Sequence, residues 1–196
     1  MQLSAPFKTR ENADLNQYWY SGQSISALCS GALELAGRCG LEKGREGRIA
    51  FLSTPSLYFS IPETLRSCHS LFDIDSQWAS DPGFIRFDFN EDPTRSFPAS
   101  ALGAYDVVVI DPPFITEPVW RRYALAAQAL LREGLQGLVI CTTVAENEGL
   151  LRELFQGAVS LPFQPSIPNL VYQYNTFSNA YPFPFSLSQR NSEIPE

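Results

Sequence analysis

The sequence predicts an α/β fold, a mostly parallel sheet with helices on both faces, and two patterns carry the prediction. Short runs of predominantly apolar residues recur along the chain, where a strand with one wet face would alternate apolar with polar. Amphipathic stretches with apolar residues three and four apart separate several of these runs, and that alternation builds a parallel sheet covered on both sides. At 196 residues the chain suits one domain with a substantial core.

Taken in order, Ile25, Leu28, Cys29, Ala32, Leu33 and Ala36 define a helix opening at Ser24, and Gly37 and Gly40 are expected to end it, leaving 41–47 as a loop. Ile49 to Ser53 reads as a buried strand stopped by Thr54-Pro55. Ser70 to Asp75 and Phe84 to Phe89 give two more strands. The clearest is Tyr105 to Ile110, whose last four residues are all β-branched and run into a double proline. Thr116 is placed to cap a helix with Trp120, Tyr123, Ala124, Ala127, Leu130 and Leu131 on one face, Pro118 being tolerated in its first turn. Leu138 to Thr142 forms the next strand, and Thr143 and Glu146 have capping-box spacing before a helix bearing Leu150, Leu151, Leu154 and Phe155. Val159 to Phe163 and Leu170 to Phe177 read as the last strands, the second with aromatic alternation at Tyr172 and Tyr174. The organisation expected is an N-terminal segment 1–23 able to act as a lid, a main domain 24–179 and a Pro/Phe-containing tail 180–196.

Composition narrows the function classes. The apolar fraction of 44% and charged fraction of 18% describe a globular chain, and no run reaches the roughly 18 apolar residues of a bilayer span. The N-terminus lacks the apolar stretch of a secretory signal, so a cytoplasmic protein is the expectation. A net charge of −7 with only 14 basic residues lowers the prospect of a nucleic-acid partner, since such binding rests on Lys and Arg at phosphates. The nearest approach to a basic cluster is Lys43, Arg45 and Arg48, with Arg121-Arg122 apart from it. A basic protein partner suits the charge better. Cys29, Cys39, Cys68 and Cys141 form no close pair, so no metal site is expected and the thiols read as buried. The single histidine, His69, opens a strand, a poor place for a general base.

In an open α/β sheet the ligand lies beyond the carboxyl ends of the strands, which makes those ends worth reading one by one. They carry Ser53-Thr54-Pro55, Asp73 and Asp75, Asp88-Phe89, and Asp111-Pro112-Pro113-Phe114. The last suits the binding of an amine. An Asp carboxylate and a proline carbonyl each accept an N–H bond, tandem prolines hold the loop rigid, and Phe114 can lie against a planar base or a lysine stem. Asp73 and Asp75, of which Asp75 is expected to face the crevice, stand where nucleotide folds put an acid on ribose hydroxyls. Asp88 and Phe89 can meet an adenine ring. The first loop lacks the glycines that usually let backbone approach a nucleotide. Near the N-terminus, Trp19 and Tyr20 sit in an aromatic cluster that can either fold over a cofactor or pack the first helix.

The ordered set Gln17-Tyr18-Trp19-Tyr20-Ser21, Ser53-Thr54-Pro55-Ser56-Leu57-Tyr58, Phe72-Asp73-Ile74-Asp75, Phe87-Asp88-Phe89-Asn90 and Asp106 to Phe114 resembles the elongation factor 1A lysine methyltransferase 1 family, once labelled N6-adenine-specific DNA methyltransferase 2. The likeness runs from about Asp14 to Asn179 and includes Thr142. It implies a Rossmann-like class I methyltransferase with a seven-stranded sheet and a final antiparallel strand, S-adenosylmethionine as donor, and a lysine of the elongation factor as acceptor. Asp111, Pro112, Pro113 and Phe114 would hold the acceptor amine. Ser53, Thr54, Pro55, Asp73, Asp75, Asp88, Phe89, Trp19 and Tyr20 would lie on the cofactor side. Two departures stand out. Pro62 and a shortened segment Ser56 to Cys68 replace a longer helix, and Phe114 stands where Tyr is expected in the lysine methyltransferases. Phe at that position also occurs in a related zinc-finger family acting on adenine in ribosomal RNA. Two further readings therefore stay open: an adenine acceptor in RNA or DNA, and a methyltransferase-fold binding module without activity, which the glycine-free first loop suggests.

Overall fold

A computed structural model describes residues 7–132, 134 and 137–195. Its centre is a seven-stranded sheet of order β3-β2-β1-β4-β5-β7-β6, formed by β1 (Ile49–Leu52), β2 (Ser70–Asp73), β3 (Phe84–Arg86), β4 (Val107–Ile110), β5 (Leu138–Thr143), β6 (Val159–Ser160) and β7 (Asn175–Ser178). Strands β1 to β5 are parallel, and β7 runs antiparallel to both β5 and β6. Strand order reverses between β1 and β4, which opens a crevice at their carboxyl ends.

The period-two geometry of a strand sends successive side chains to opposite faces, and here both faces are buried. Ala50, Leu52, Val108 and Ile110 enter one core, against Trp120, Tyr123 and Leu130 of α5 (Glu117–Leu130) and Leu151 of α6 (Glu148–Leu154). Ile49, Phe51, Val107 and Val109 enter the other, against Leu28, Ala32 and Leu35 of α1 (Gly22–Lys43). Each such aliphatic side chain removed from water contributes about 1.5–3 kcal/mol, which is why the continuous apolar strands are the stable spine. The tail packs back on the second core through Leu187, which lies over the bare backbone of Gly31. Among the described residues no helix is long and apolar enough to cross a membrane. The first six residues of the N-terminal segment and the last residue of the tail lie outside the described residues.

Several boundaries differ from expectation for physical reasons. Helix α1 continues through Gly37 and Gly40 and ends at Gly44, which adopts the left-handed φ of 63° and closes the last turn. Gly40 is a packing residue: a Cβ there would stand 2.5 Å from the Arg45 carbonyl oxygen and 2.8 Å from the Gly47 nitrogen. The segment after β1 forms two short helices, α2 (Pro55–Tyr58) and α3 (Glu63–Arg66), with Pro62 at the N-cap of the second. A third short helix, α4 (Pro93–Ser96), follows β3. Thr143 makes no capping box; it stays in β5, its hydroxyl accepts from the Asn147 side chain at 3.0 Å, and α6 opens later. Thr116 occupies the N-cap of α5 without a side-chain bond. The expected strand 159–163 shrinks to two residues, and Leu170 to Tyr174 is irregular, with Val171 and Tyr172 exposed. Pro162, Pro165 and Pro168 supply no N–H for a ladder through that stretch.

Candidate active site

A cleft of about 270 Å³ opens at the carboxyl ends of β1 to β4, just below the ~300–1,000 Å³ usual for small-molecule sites. Ser53, the first residue after β1, adopts φ 54°. That left-handed conformation is the one a glycine normally supplies, so a serine here turns the chain sharply and brings its backbone to the cleft. The Ser53 hydroxyl lies 2.6 Å from the hydroxyl of Tyr123 on α5. Pro55 also lines the cleft, whereas Thr54 points away and is 1% exposed.

The Asp111-Pro112-Pro113-Phe114 loop lines the cleft directly after β4. Pro112 is buried and Phe114 is 51% exposed at the mouth. Tyr20 donates to Asp111 Oδ2 at 2.6 Å and is itself 2.6 Å from Thr142 Oγ1 on β5. Desolvation pushes the Asp111 carboxyl up to about 7, against the pull of the Tyr20 and Thr142 hydroxyls. The Pro113 carbonyl already accepts from the side chain of Asn16. Among the described residues no donor reaches the Pro112 carbonyl, which leaves it, with Asp111, as the open acceptor pair of the loop.

On the opposite wall, the two acids after β2 exchange their expected places. Asp73 lines the cleft; its Oδ1 accepts from the Asp75 backbone at 2.8 Å, and burial pushes its carboxyl up to about 7. Asp75 turns away, accepting from Gln77 N and from Gln17 Nε2, each at 3.0 Å. The reason is local: Asp75 caps the 3-10 turn Ser76–Trp78, so its carboxylate is aimed at backbone N–H groups. Asp88 and Phe89 line the cleft beyond β3, Asp88 accepting from Asn90 and Phe89 leaning on Tyr123 with ring centroids 5.9 Å apart.

Residues 12–20 form a strap over this crevice. Trp19 lines it, yet its indole donates to the Thr9 carbonyl and its ring meets Phe7 edge-on at 5.2 Å. Tyr20 is absent from the lining, because it lies buried beneath Asp111 on the acceptor side. Asn16, in a left-handed conformation with φ 54°, and Tyr123, Thr142 and Tyr174 acquire clear places only in the structure. Of these, Asn16 carried a local signal, since asparagine tolerates that conformation better than most residues, and Thr142 lay within the family likeness. His69 is remote from the lining; its Nδ1 accepts from Ile49 N, and burial lowers its pKa to about 4. Cys29 and Cys141 are buried, Cys39 and Cys68 partly so, and none of the four forms a disulfide among the described residues. Among the described residues no group of His, Cys, Asp or Glu is arranged to hold a metal ion.

The donor set fits S-adenosylmethionine. Asp73 and Asp88 offer acceptors to ribose hydroxyls and an exocyclic amine, Phe89 offers a ring face, and Ser53 offers close backbone approach. Four acids and no base line the cleft among the described residues, a field suited to a sulfonium cation.

Strand order and the switch-point cleft are those of a class I methyltransferase. The family model described as "Probable N6-adenine methyltransferase" matches residues 11–182, and the chain belongs to that family. Its similarity to curated proteins covers most of its length. It is 31% identical to mouse "EEF1A lysine methyltransferase 1" over 86% of this chain and 75% of the mouse protein, with the same figures for the human protein. It is 28% identical to "Protein-lysine N-methyltransferase EFM5" of Saccharomyces cerevisiae over 62% of this chain and 49% of that one. The protein is an S-adenosylmethionine-dependent methyltransferase.

Proposed function

We propose that the protein methylates the ε-amine of a lysine in a translation elongation factor 1A, in the cytoplasm. The observation that carries this reading is the charge of the cleft: Asp14, Asp73, Asp88 and Asp111 line it with no Lys, Arg or His among the described residues. Such a site attracts a cationic side chain and repels a polyphosphate backbone. Three of the five basic residues nearest to a cluster are engaged elsewhere. Arg45 binds Asp106, Arg48 stacks on Tyr105 at 4.9 Å, and Arg121 pairs with Glu117 and Glu153. The names of the mammalian relatives supply the elongation factor.

S-adenosylmethionine, when bound, supplies an electrophilic methyl group on its sulfonium. Asp73, Asp88 and Phe89 would hold the nucleoside end. Asp111 and the Pro112 carbonyl accept the N–H bonds of the incoming amine and aim its lone pair. A lysine ammonium with a free pKa of about 10.4 must first shed a proton. Phe114, Tyr18 and Tyr174 surround its stem with apolar surface, and that desolvation favours the neutral amine. The test is transfer from radiolabelled donor into a methylation-deficient lysate. Label removed by protease and resistant to RNase is expected; label removed by RNase alone would replace lysine with adenine.

A further inference from the structure

The strap is bonded to the catalytic loop at two separate points. Tyr20 donates to Asp111 Oδ2 at 2.6 Å, and the Asn16 side chain donates to the Pro113 carbonyl. Its third tie, from Gln17 Nε2 to Asp75 Oδ2 at 3.0 Å, reaches the donor wall. The strap therefore spans the end of β2 and the loop after β4, the two walls between which the methyl group must pass.

Tyr20 has one hydroxyl proton and two oxygen partners. With Asp111 ionised, that proton goes to the carboxylate, and the Thr142 hydroxyl is left to donate to the Tyr20 oxygen or to Asp111 itself. This chain fixes the rotation of the carboxylate through Oδ2 from a buried hydroxyl. Asn16, held in its left-handed turn, covers the carbonyl of the second proline and leaves that of the first.

We propose that Tyr20 and Asn16 are positioning residues for the transfer: Tyr20 locks the Asp111 carboxylate, and Asn16 occupies the Pro113 carbonyl, so the acceptor amine meets a single geometry formed by Asp111 and the Pro112 carbonyl. The proposal rests on the amine-methyltransferase reading above. The strap is then part of the catalytic apparatus, since a displacement of about 1 Å in such an acceptor pair costs on the order of 100-fold in rate.

The groups facing Asp111 are few. Tyr20 comes from the strap, Tyr123 from α5, Cys141 from β5, and Tyr174 from the segment before β7. All are held above their ordinary values and stay neutral near pH 7. Asp73, across the cleft, titrates in the same range as Asp111 but is in hydrogen-bond contact with Asp75.

The experiment follows the Asp111 carboxyl by carbon-13 NMR in protein labelled at aspartate carboxyls, with Asp111→Asn identifying the resonance. Transfer and donor affinity are measured on the same samples. In Tyr20→Phe the Asp111 titration should move upward by ~0.5 pH unit or more, since a donor to the charged form is lost. The kcat should fall by roughly 10- to 100-fold while the Kd for S-adenosylmethionine stays within about threefold. Asn16→Ala should lower kcat with the Asp111 titration unmoved. An unchanged titration in Tyr20→Phe, or donor affinity falling in step with kcat, would overturn the proposal. If Tyr20→Phe melts below the assay temperature, 3-fluorotyrosine incorporated at position 20, which keeps the ring and makes its hydroxyl a stronger donor, decides: a downward shift of the Asp111 titration supports the proposal and no shift overturns it. Should the wild type fail to methylate elongation factor 1A, the acceptor assignment falls, while the Asp111 titration still judges Tyr20.

Discussion

The hydroxyl of Tyr123 meets the hydroxyl of Ser53 at 2.6 Å, tying helix α5 to a residue whose φ is 54°. The bond explains how a loop without glycine makes the sharp turn after β1. A left-handed serine carries a backbone strain of about 1–3 kcal/mol, which the buried Tyr123 partner helps to hold.

Replacing Ser53 by valine should expose that strain. A β-branched residue tolerates the left-handed region poorly and loses the Tyr123 bond, so Ser53→Val should melt ~4 °C or more below wild type. Its affinity for S-adenosylmethionine should fall about tenfold or more, because a relaxed turn withdraws backbone from the cleft. Calorimetry and a thermal melt check both, and unchanged donor affinity would remove the loop from the donor site.

Gly37 in α1 and Gly47 in the loop after it make opposite predictions. A Cβ at Gly37 meets nothing within 4 Å, so Gly37→Ala should add about 0.5–1 kcal/mol, or ~1–4 °C in a chain of this size. A Cβ at Gly47 would stand 1.8 Å from the Ala36 carbonyl oxygen. Gly47→Ala should therefore destabilise by more than ~3 kcal/mol or prevent folding. Thermal melts of the two variants decide it.

This contrast shows what the sequence can and cannot carry. Both Gly37 and Gly40 read locally as helix stops, yet the helix passes through both, because the buried face of Leu28, Ala32 and Leu35 outweighs their low propensity. The β-branched run ending at Ile110 was legible because a doubly buried strand needs continuous apolar residues, and the loop after it because its prolines and acid are contiguous. The partners of that loop were not: Tyr20 lies 91 residues away from Asp111 and Asn16 lies 97 from Pro113, and no local pattern encodes such pairings. The choice between Asp73 and Asp75 likewise turned on which of them caps the following turn.

Phe114 is half-exposed, so a hydroxyl added to its ring can reach solvent. Phe114→Tyr is expected to keep kcat/KM within about threefold, since no buried polar group is created. Phe114→Ala should lower it by roughly 10-fold or more by removing the wall that desolvates the amine. Steady-state kinetics on both variants provide the check.

The pH dependence of stability carries a defined sign. The folded-state pKa of Asp111, about 7, lies above the ordinary carboxylate value of 3.8, with desolvation as the main cause. Its contribution is present below about pH 4 and is lost as pH rises through 7. Asp111→Asn, which stays neutral, should therefore gain on the wild type between pH 4 and 7 and level off above. At pH 8 the ligand-free variant should melt ~3 °C or more higher. A melting difference that is flat with pH would mean that the carboxylate is well solvated.

The most direct test of the central claim combines wild type and Asp111→Asn on purified elongation factor 1A with S-adenosylmethionine, read by mass spectrometry of its lysines. The wild type should add methyl groups to lysine. Asp111→Asn should be slowed at least about 100-fold with donor affinity kept within several-fold, the behaviour of a lost transition-state contact. Methyl-lysine formed equally by both proteins, or N6-methyladenine in an RNA substrate with lysines untouched, would contradict the account.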